Sequence, residues 1–265
     1  MKNKLIAGIL AAVMTLSLAA CGGSAPAAGG ADSDVAYIKG KGTLVVGITD
    51  FAPMDYKEGG DWIGFDADVA REVAASLGVK AEFVEIDWDN KILELNNKSI
   101  DCVWNGMTLT DEVKTSMTCT IPYCDNAQVV VLPAENAGDH KDAESLKGLR
   151  FAVEAGSAGE AAAEENGFDF TAVTAQSDTL MEVQAGTSDA AIIDLLMAGA
   201  MIGEGTSYPG LTHTVKLTSE EYGVGCRRGS DLAEYINGEL KRLNSEGTLK
   251  TIAEKYGVQD SLSVK

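Results

Sequence analysis

Histidine, cysteine and positive charge are all in short supply in this chain. The two histidines, His140 and His213, lie far apart, and neither ends a strand-like run. No Ser-His-Asp set can be assembled from that pattern. The five cysteines include no C-x-x-C pair, so no metal site is expected. Cys102 and Cys226 fall in strand-like apolar runs and read as small buried residues. Cys119 and Cys124 are near enough to pair or to remain free. Lys and Arg number 21 against 40 Asp and Glu, a net charge of −19. A phosphate backbone would be repelled, so no nucleic-acid partner is expected. The same acidity either keeps the chain soluble or steers cations towards it. No GxxxxGK(S/T) loop is present, so any transport would be powered elsewhere. After Cys21 no apolar run is long enough to span a membrane.

The first 20 residues read as a secretory signal: Lys2 and Lys4, then an apolar run from Leu5 to Leu18. Leu18-Ala19-Ala20-Cys21 resembles the bacterial lipobox, which makes Cys21 the lipidation site. The alternative is an ordinary cleavage site beside an incidental cysteine. Residues 21–37 are rich in Gly, Ala, Ser and Pro and read as a flexible, lipid-anchored linker. Stable anchoring needs more than one acyl chain. The mature chain is then expected outside the cytoplasm, on the outer face of the cell membrane. It ends at Lys265, which leaves no room for a kinase, channel or catalytic partner domain.

The remainder is globular in composition and long enough for two lobes of roughly 100 residues each. Thr43 to Ile48 (TLVVGI) is a buried strand, and Phe65, Val69, Val73 and Leu77 recur at helical spacing with Gly78 as a stop. Ala81 to Ile86 is a second strand, residues 91–98 a short helix, and Cys102 to Trp104 a third strand. The order β-α-β-α-β predicts an α/β fold with an open, mainly parallel sheet. Thr110 can cap a helix whose first turn holds Asp111 and Glu112.

Three loops at one sheet edge then carry candidate ligand contacts: Asp50 and Phe51, Trp88, and Asn105-Gly106-Met107-Thr108. Phe51 and Trp88 either sandwich a planar or apolar ligand part or simply pack in the core. Further on, Leu149 to Val153 is a strand after a helical turn at Glu144 to Gly148. A Gly/Ser loop containing Glu154, Ser157 and Ala158 leads into an Ala-rich helix, a nest suited to anions. Ser177 can cap the next helix. Ala190 to Ile193 is a strand ending at Asp194, which either caps the following helix or faces a ligand.

The run Asp101 to Tyr123 resembles the polar amino-acid-binding proteins of ABC importers, the extracytoplasmic solute-binding family 3. That family tends to read I-D-x-x-x-x-G-M-T-x-T-x-E-R and then F-S-x-P-Y. Ile100, Asp101, Gly106, Met107, Thr108, Thr110, Glu112, Pro122 and Tyr123 match. The resemblance extends over about residues 38 to 258. It implies a two-lobed, type II periplasmic-binding-protein-like fold, two open sheets joined by a two-strand hinge. Lobe 1 is expected over 38–127 and 223–262, and lobe 2 over 128–222. The hinge strands are expected at Gln128 to Leu132 and Tyr222 to Cys226. It also implies a monomer that binds a small molecule between its lobes and docks on an ABC permease, with no catalysis and no cofactor.

The resemblance places the ligand α-ammonium at Asp194, and Tyr222 near the site. The family arginine that pairs with the α-carboxylate falls on Val113, where no fork is available. Asp50, Asp89, Glu154 and Asp194 are expected to ring the cleft without a matching cation. Two ligand classes follow: a free amino acid with Glu154 meeting a basic side chain, or an amine lacking a free carboxylate. A dehydratase-like enzyme on the same fold and a ligand-presenting partner of a membrane sensor are the rival functions.

Overall fold

A computed structural model describes residues 33–265 of the chain. The leader, Cys21 and most of the tether lie outside the described residues. Ser33 accepts the Ala36 N–H at 3.0 Å and caps helix α1, Asp34–Lys41. Residues 34–37 are therefore helical, a correction to the tether boundary. The cause is tertiary: Ile38 is buried in the core, and Asp34 accepts from Arg227 at 3.0 Å.

The first lobe is then built from β1 (Thr43–Ile48), a hairpin of β2 (Tyr56–Glu58) and β3 (Asp61–Ile63), α2 (Phe65–Leu77) and β4 (Lys80–Glu85). A 3-10 turn at Trp88–Asn90 runs into α3 (Lys91–Asn96), followed by β5 (Cys102–Val103), α4 (Asp111–Ser116) and β6 (Thr118–Cys119). The chain crosses through β7 (Cys124–Asn126) into β8 (Gln128–Pro133), β9 (Arg150–Glu154), α5 (Ala158–Asn166) and β10 (Asp169–Val173). It continues through α6 (Gln176–Ala185), β11 (Ala190–Asp194), α7 (Leu195–Met201) and β12 (Leu211–Lys216). It returns through β13 (Glu220–Tyr222) to β14 (Gly225–Cys226), α8 (Leu232–Ser245) and α9 (Thr248–Tyr256).

The sheet orders are β4-β1-β5-β14-β6 and β10-β9-β11-β8-β12. Both are mixed rather than mainly parallel. β1 runs parallel to β4 and β5, but β14 returns from the other lobe and pairs antiparallel. Likewise β9 is parallel to β10 and β11, whereas β8 is antiparallel to β11 and β12. The antiparallel pair between the sheets is β7–β13, with Tyr222 opposite Cys124. The expected crossing strands are thus displaced. Gln128–Pro133 lies inside the second sheet, where its continuous apolar face is buried on β11 and β12.

The α2 face predicted from spacing is buried: Phe65, Val69, Val73 and Leu77 pack in the main core with Leu44, Val46, Ile236 and Leu240. Gly78 stops the helix in the left-handed region at φ 77°. Residues 144–148 form turns rather than a helix, and the Asp142 carboxylate accepts the Ser145 N–H at 2.9 Å. The four cysteines of the described residues are free, Cys119 and Cys124 included.

A buried ion cluster ties α1 to the first sheet. Arg227 meets Asp34 at 3.0 Å and Asp101 at 3.4 Å, and donates to the Ile100 carbonyl at 2.7 Å. Asp101 also takes Lys41 at 2.6 Å and the Val45 N–H at 2.8 Å. Arg227→Met would leave two buried carboxylates short of their partner. It is expected to cost about 3–5 kcal/mol of unfolding free energy, measured by urea denaturation; a loss below about 1 kcal/mol would show the cluster to behave as a surface pair.

Candidate functional site

Side chains at the carboxyl ends of both sheets face one another across a cleft of about 740 Å³, a size suited to a small ligand. From the first sheet come Phe51 after β1, Trp88 after β4, and Asn105, Gly106, Met107 and Thr108 after β5. From the second come Glu154 at the end of β9, Ser157 and Ala158 at the start of α5, Gln176 after β10 and Asp194 at the end of β11. Crevices at strand carboxyl ends are where open α/β sheets bind ligands.

Two expected residues are elsewhere. Asp50 is exposed and borders a separate depression with Glu85 and Asp87. Successive residues of an extended chain point to opposite sides, so turning Phe51 into the cleft turns Asp50 out. Tyr222 is fully buried behind the wall, where its hydroxyl donates to Asp194 at 2.6 Å and its ring meets Phe51 edge-on. Asp89 is likewise exposed and does not line the cleft.

The β5 loop is committed to its own fold more than its sequence suggested. Asn105 bonds Thr49 twice, at 2.8 and 2.9 Å. The Gly106 N–H donates to the buried Asp66 carboxylate at 2.6 Å, and the Thr108 hydroxyl to Glu220 at 2.9 Å. A buried carboxylate costs several kcal/mol unless donors reach it, and Asp66, Gly106 and Tyr123 meet that need together. Gly106 sits at φ 54°, and a Cβ there would come within 2.4 Å of the Phe51 ring. Glycine is therefore what lets Phe51 lie against this loop.

Asp194 occupies the N-cap position of α7 but makes no capping bond. Its Oδ1 accepts Asn126 at 2.5 Å and Tyr222 at 2.6 Å, and its Oδ2 accepts Gln176 at 2.7 Å. Only 4% of the residue is exposed. Burial, then the Glu220 charge, pushes its carboxyl up to about 7. Glu154, also 4% exposed, is pushed up to about 8 by burial and then by Asp194. Its Oε1 accepts the Gln176 N–H at 3.2 Å. That contact explains why α6 starts at Gln176 instead of being capped by Ser177: a carboxylate from β9 takes the helix N-terminal donor.

Sequence reasoning missed Lys91, Gln176, Asn126 and Glu220. Lys91 is 7% exposed and lines the cleft, so the expectation of no cation there is wrong. Its spacing of three from Trp88 was the available signal, since it sets both on one helical face. Glu220 collects Thr108, Asn126, Gln128 and Thr218, all within 3.0 Å. No local pattern marks it, because three of those partners, Thr108, Asn126 and Gln128, lie about 90 or more positions away in the chain. Among the described residues no cluster of three metal-ligating side chains occurs.

Residues 44–259 match the model of the bacterial extracellular solute-binding proteins, family 3. The arginine-binding extracellular protein ArtP of Bacillus subtilis is 30% identical, over 94% of this chain and 95% of its own. The L-cystine-binding protein TcyJ of Escherichia coli K12 is 28% identical, over 83% and 84%. A solved mutant of ArgBP from T. maritima superimposes with a TM-score of 0.79 at 32% identity, over 84% of this chain and 99% of that one. ArgBP has also been solved bound to arginine.

Proposed function

The chain belongs to the bacterial extracellular solute-binding proteins of family 3, and on that premise we propose that its solute is a cationic amino acid. The cleft is its binding site, and the protein is the capture subunit of an ABC importer, tethered through Cys21. The observation that carries this reading is the pair Glu154 and Asp194, two buried carboxylates at the ends of neighbouring parallel strands of the second sheet, with no cation bonded to either. An ammonium at Asp194 and a guanidinium or second ammonium near Glu154 would supply the missing charge. Phe51 and Trp88 offer flat apolar walls for the aliphatic stem between them. Arginine-binding relatives support the same class.

Capture would proceed by closure of the lobes about β7–β13, a hinge motion, and the closed form would dock on a permease. The named relatives are binding proteins. A dicarboxylate of the kind a dehydratase takes would face Asp111, Glu112, Glu154, Glu164, Glu165 and Asp194 across this cleft.

Val113 favours a second reading, an amine without a carboxylate. It is buried in the cleft wall at the position where relatives are expected to carry a guanidinium. A thermal-shift and calorimetric screen of arginine, lysine, histidine, cystine, glutamine and glutamate tests the class, because a ligand bound only by the folded form raises Tm. Arginine or lysine should give the largest rise. A response to glutamate or glutamine alone would refute the reading.

A further inference from the structure

The cleft lining holds six acids, and among the described residues that line it Lys91 is the sole cation. An amino acid brings a carboxylate that each of those acids repels. Gly106 has spent its N–H on Asp66, and the Thr108 hydroxyl donates to Glu220. Those two groups of the β5 loop are thus engaged before a ligand enters.

Lys91 is placed for this. Its Nζ donates to the Trp88 carbonyl at 3.2 Å in its own lobe and to the Gly156 carbonyl at 2.8 Å across the cleft. An ammonium has three N–H donors, so one remains for whatever enters. Val113 and Trp88 belong to one apolar cluster on this wall, and the ammonium lies 4.9 Å from the Trp88 ring centroid. The charges acting on it come from both lobes: Glu112 and Asp89 from the first, Glu154 and Glu160 from the second.

We propose that Lys91 is the specificity residue that receives the ligand's carboxylate, while its other two donors hold the lobes together around it. The proposal rests on the cationic amino-acid reading above. It joins recognition of the anionic end of the ligand to the contact between the lobes, since the same ammonium reaches both. It also gives the cleft a means of preferring an amino acid to its decarboxylated amine.

The test is calorimetry on the mature protein with two matched pairs, arginine against agmatine and lysine against cadaverine. The variants are Lys91→Met and Lys91→Gln; glutamine keeps two N–H donors without charge and serves if methionine perturbs folding. Wild type should bind the amino acid of a pair more tightly than its amine. Both variants should lose about ten- to a hundredfold in affinity for the amino acid, the equivalent of one charge-assisted hydrogen bond. Affinity for the amine should hold or rise, because a cation next to a cationic ligand has been removed. Equal losses for both members of a pair would make Lys91 a purely structural tie and overturn the proposal, as would no change for either. A wild type that binds amines but no amino acid overturns the role of Lys91 and leaves the cationic cleft intact. One that binds neither overturns both.

Discussion

Asp194→Asn is expected to lower affinity for the cationic ligand by at least about thirtyfold while leaving the fold intact. The substitution is nearly isosteric, so Asn126, Tyr222 and Gln176 keep a side chain of the same shape to pack on. What disappears is the negative charge, buried at 4% exposure, that an incoming ammonium would meet. Removing one partner of a buried, hydrogen-bonded charge pair costs about 2–5 kcal/mol, which corresponds to about thirtyfold to several thousandfold in Kd. Calorimetry of wild type and variant measures the loss. Circular dichroism melting in the unliganded state controls for folding: the Tm at pH 8.5 should stay close to wild type, because the loss of a buried charge to desolvate offsets the acceptor that the amide no longer presents to one of the three donors. A variant that binds as tightly as wild type would remove Asp194 from the site.

Affinity for the same ligand is expected to rise by up to about a thousandfold between pH 6 and pH 8.5. In the empty cleft Glu154 titrates at about 8, raised by burial and then by Asp194. Asp194 titrates at about 7, raised by burial and then by Glu220. Lys91 acts in the opposite direction on Glu154, and hydrogen bonds from Tyr222 and Gln176 act likewise on Asp194. A bound cation favours the ionised carboxylates, so binding below those values must expel protons. Each protonated site costs up to about tenfold in affinity per pH unit. Calorimetry in two buffers of different ionisation enthalpy reads the released protons directly. A Kd that stays flat from pH 6 to 8.5 would exclude this linkage.

The same groups set a stability trend in the unliganded protein. Unfolded carboxyls titrate near about 4, whereas Glu154, Asp194 and Asp66 do so at about 8, 7 and 7 when folded. Between those limits the folded chain holds protons that the unfolded chain has released. Stability is therefore fullest at low pH within this window and declines as pH climbs through 7 and 8. Bound cation should flatten the decline, since it stabilises the ionised forms of Glu154 and Asp194.

Much of the frame was legible in advance. β1 has the predicted limits. Thr110 caps α4 by accepting the Val113 N–H, and Gly78 ends α2 in the left-handed region. Phe51, Trp88, Glu154 and Asp194 do reach one cleft. The weaker expectations share a feature. The two-residue strands β6 and β14 and the three-residue strands β7 and β13 are too short to show an alternation, and they owe their form to the strands beside them. α1 needs Arg227, nearly 200 positions away, and α6 takes its first donor's partner from β9.

By itself the sequence determined the longer secondary elements of the lobes and the acidity of the rim, because caps, left-handed glycines and apolar periodicity act through neighbours a few residues apart. Tertiary structure alone decided which way each rim residue turned. It sent Asp50 outward and Phe51 inward, placed Tyr222 behind Asp194, and carried Lys91 across to Gly156. Those outcomes depend on which distant group satisfies a buried charge or donor, and such pairings are set by the packing of one lobe on the other.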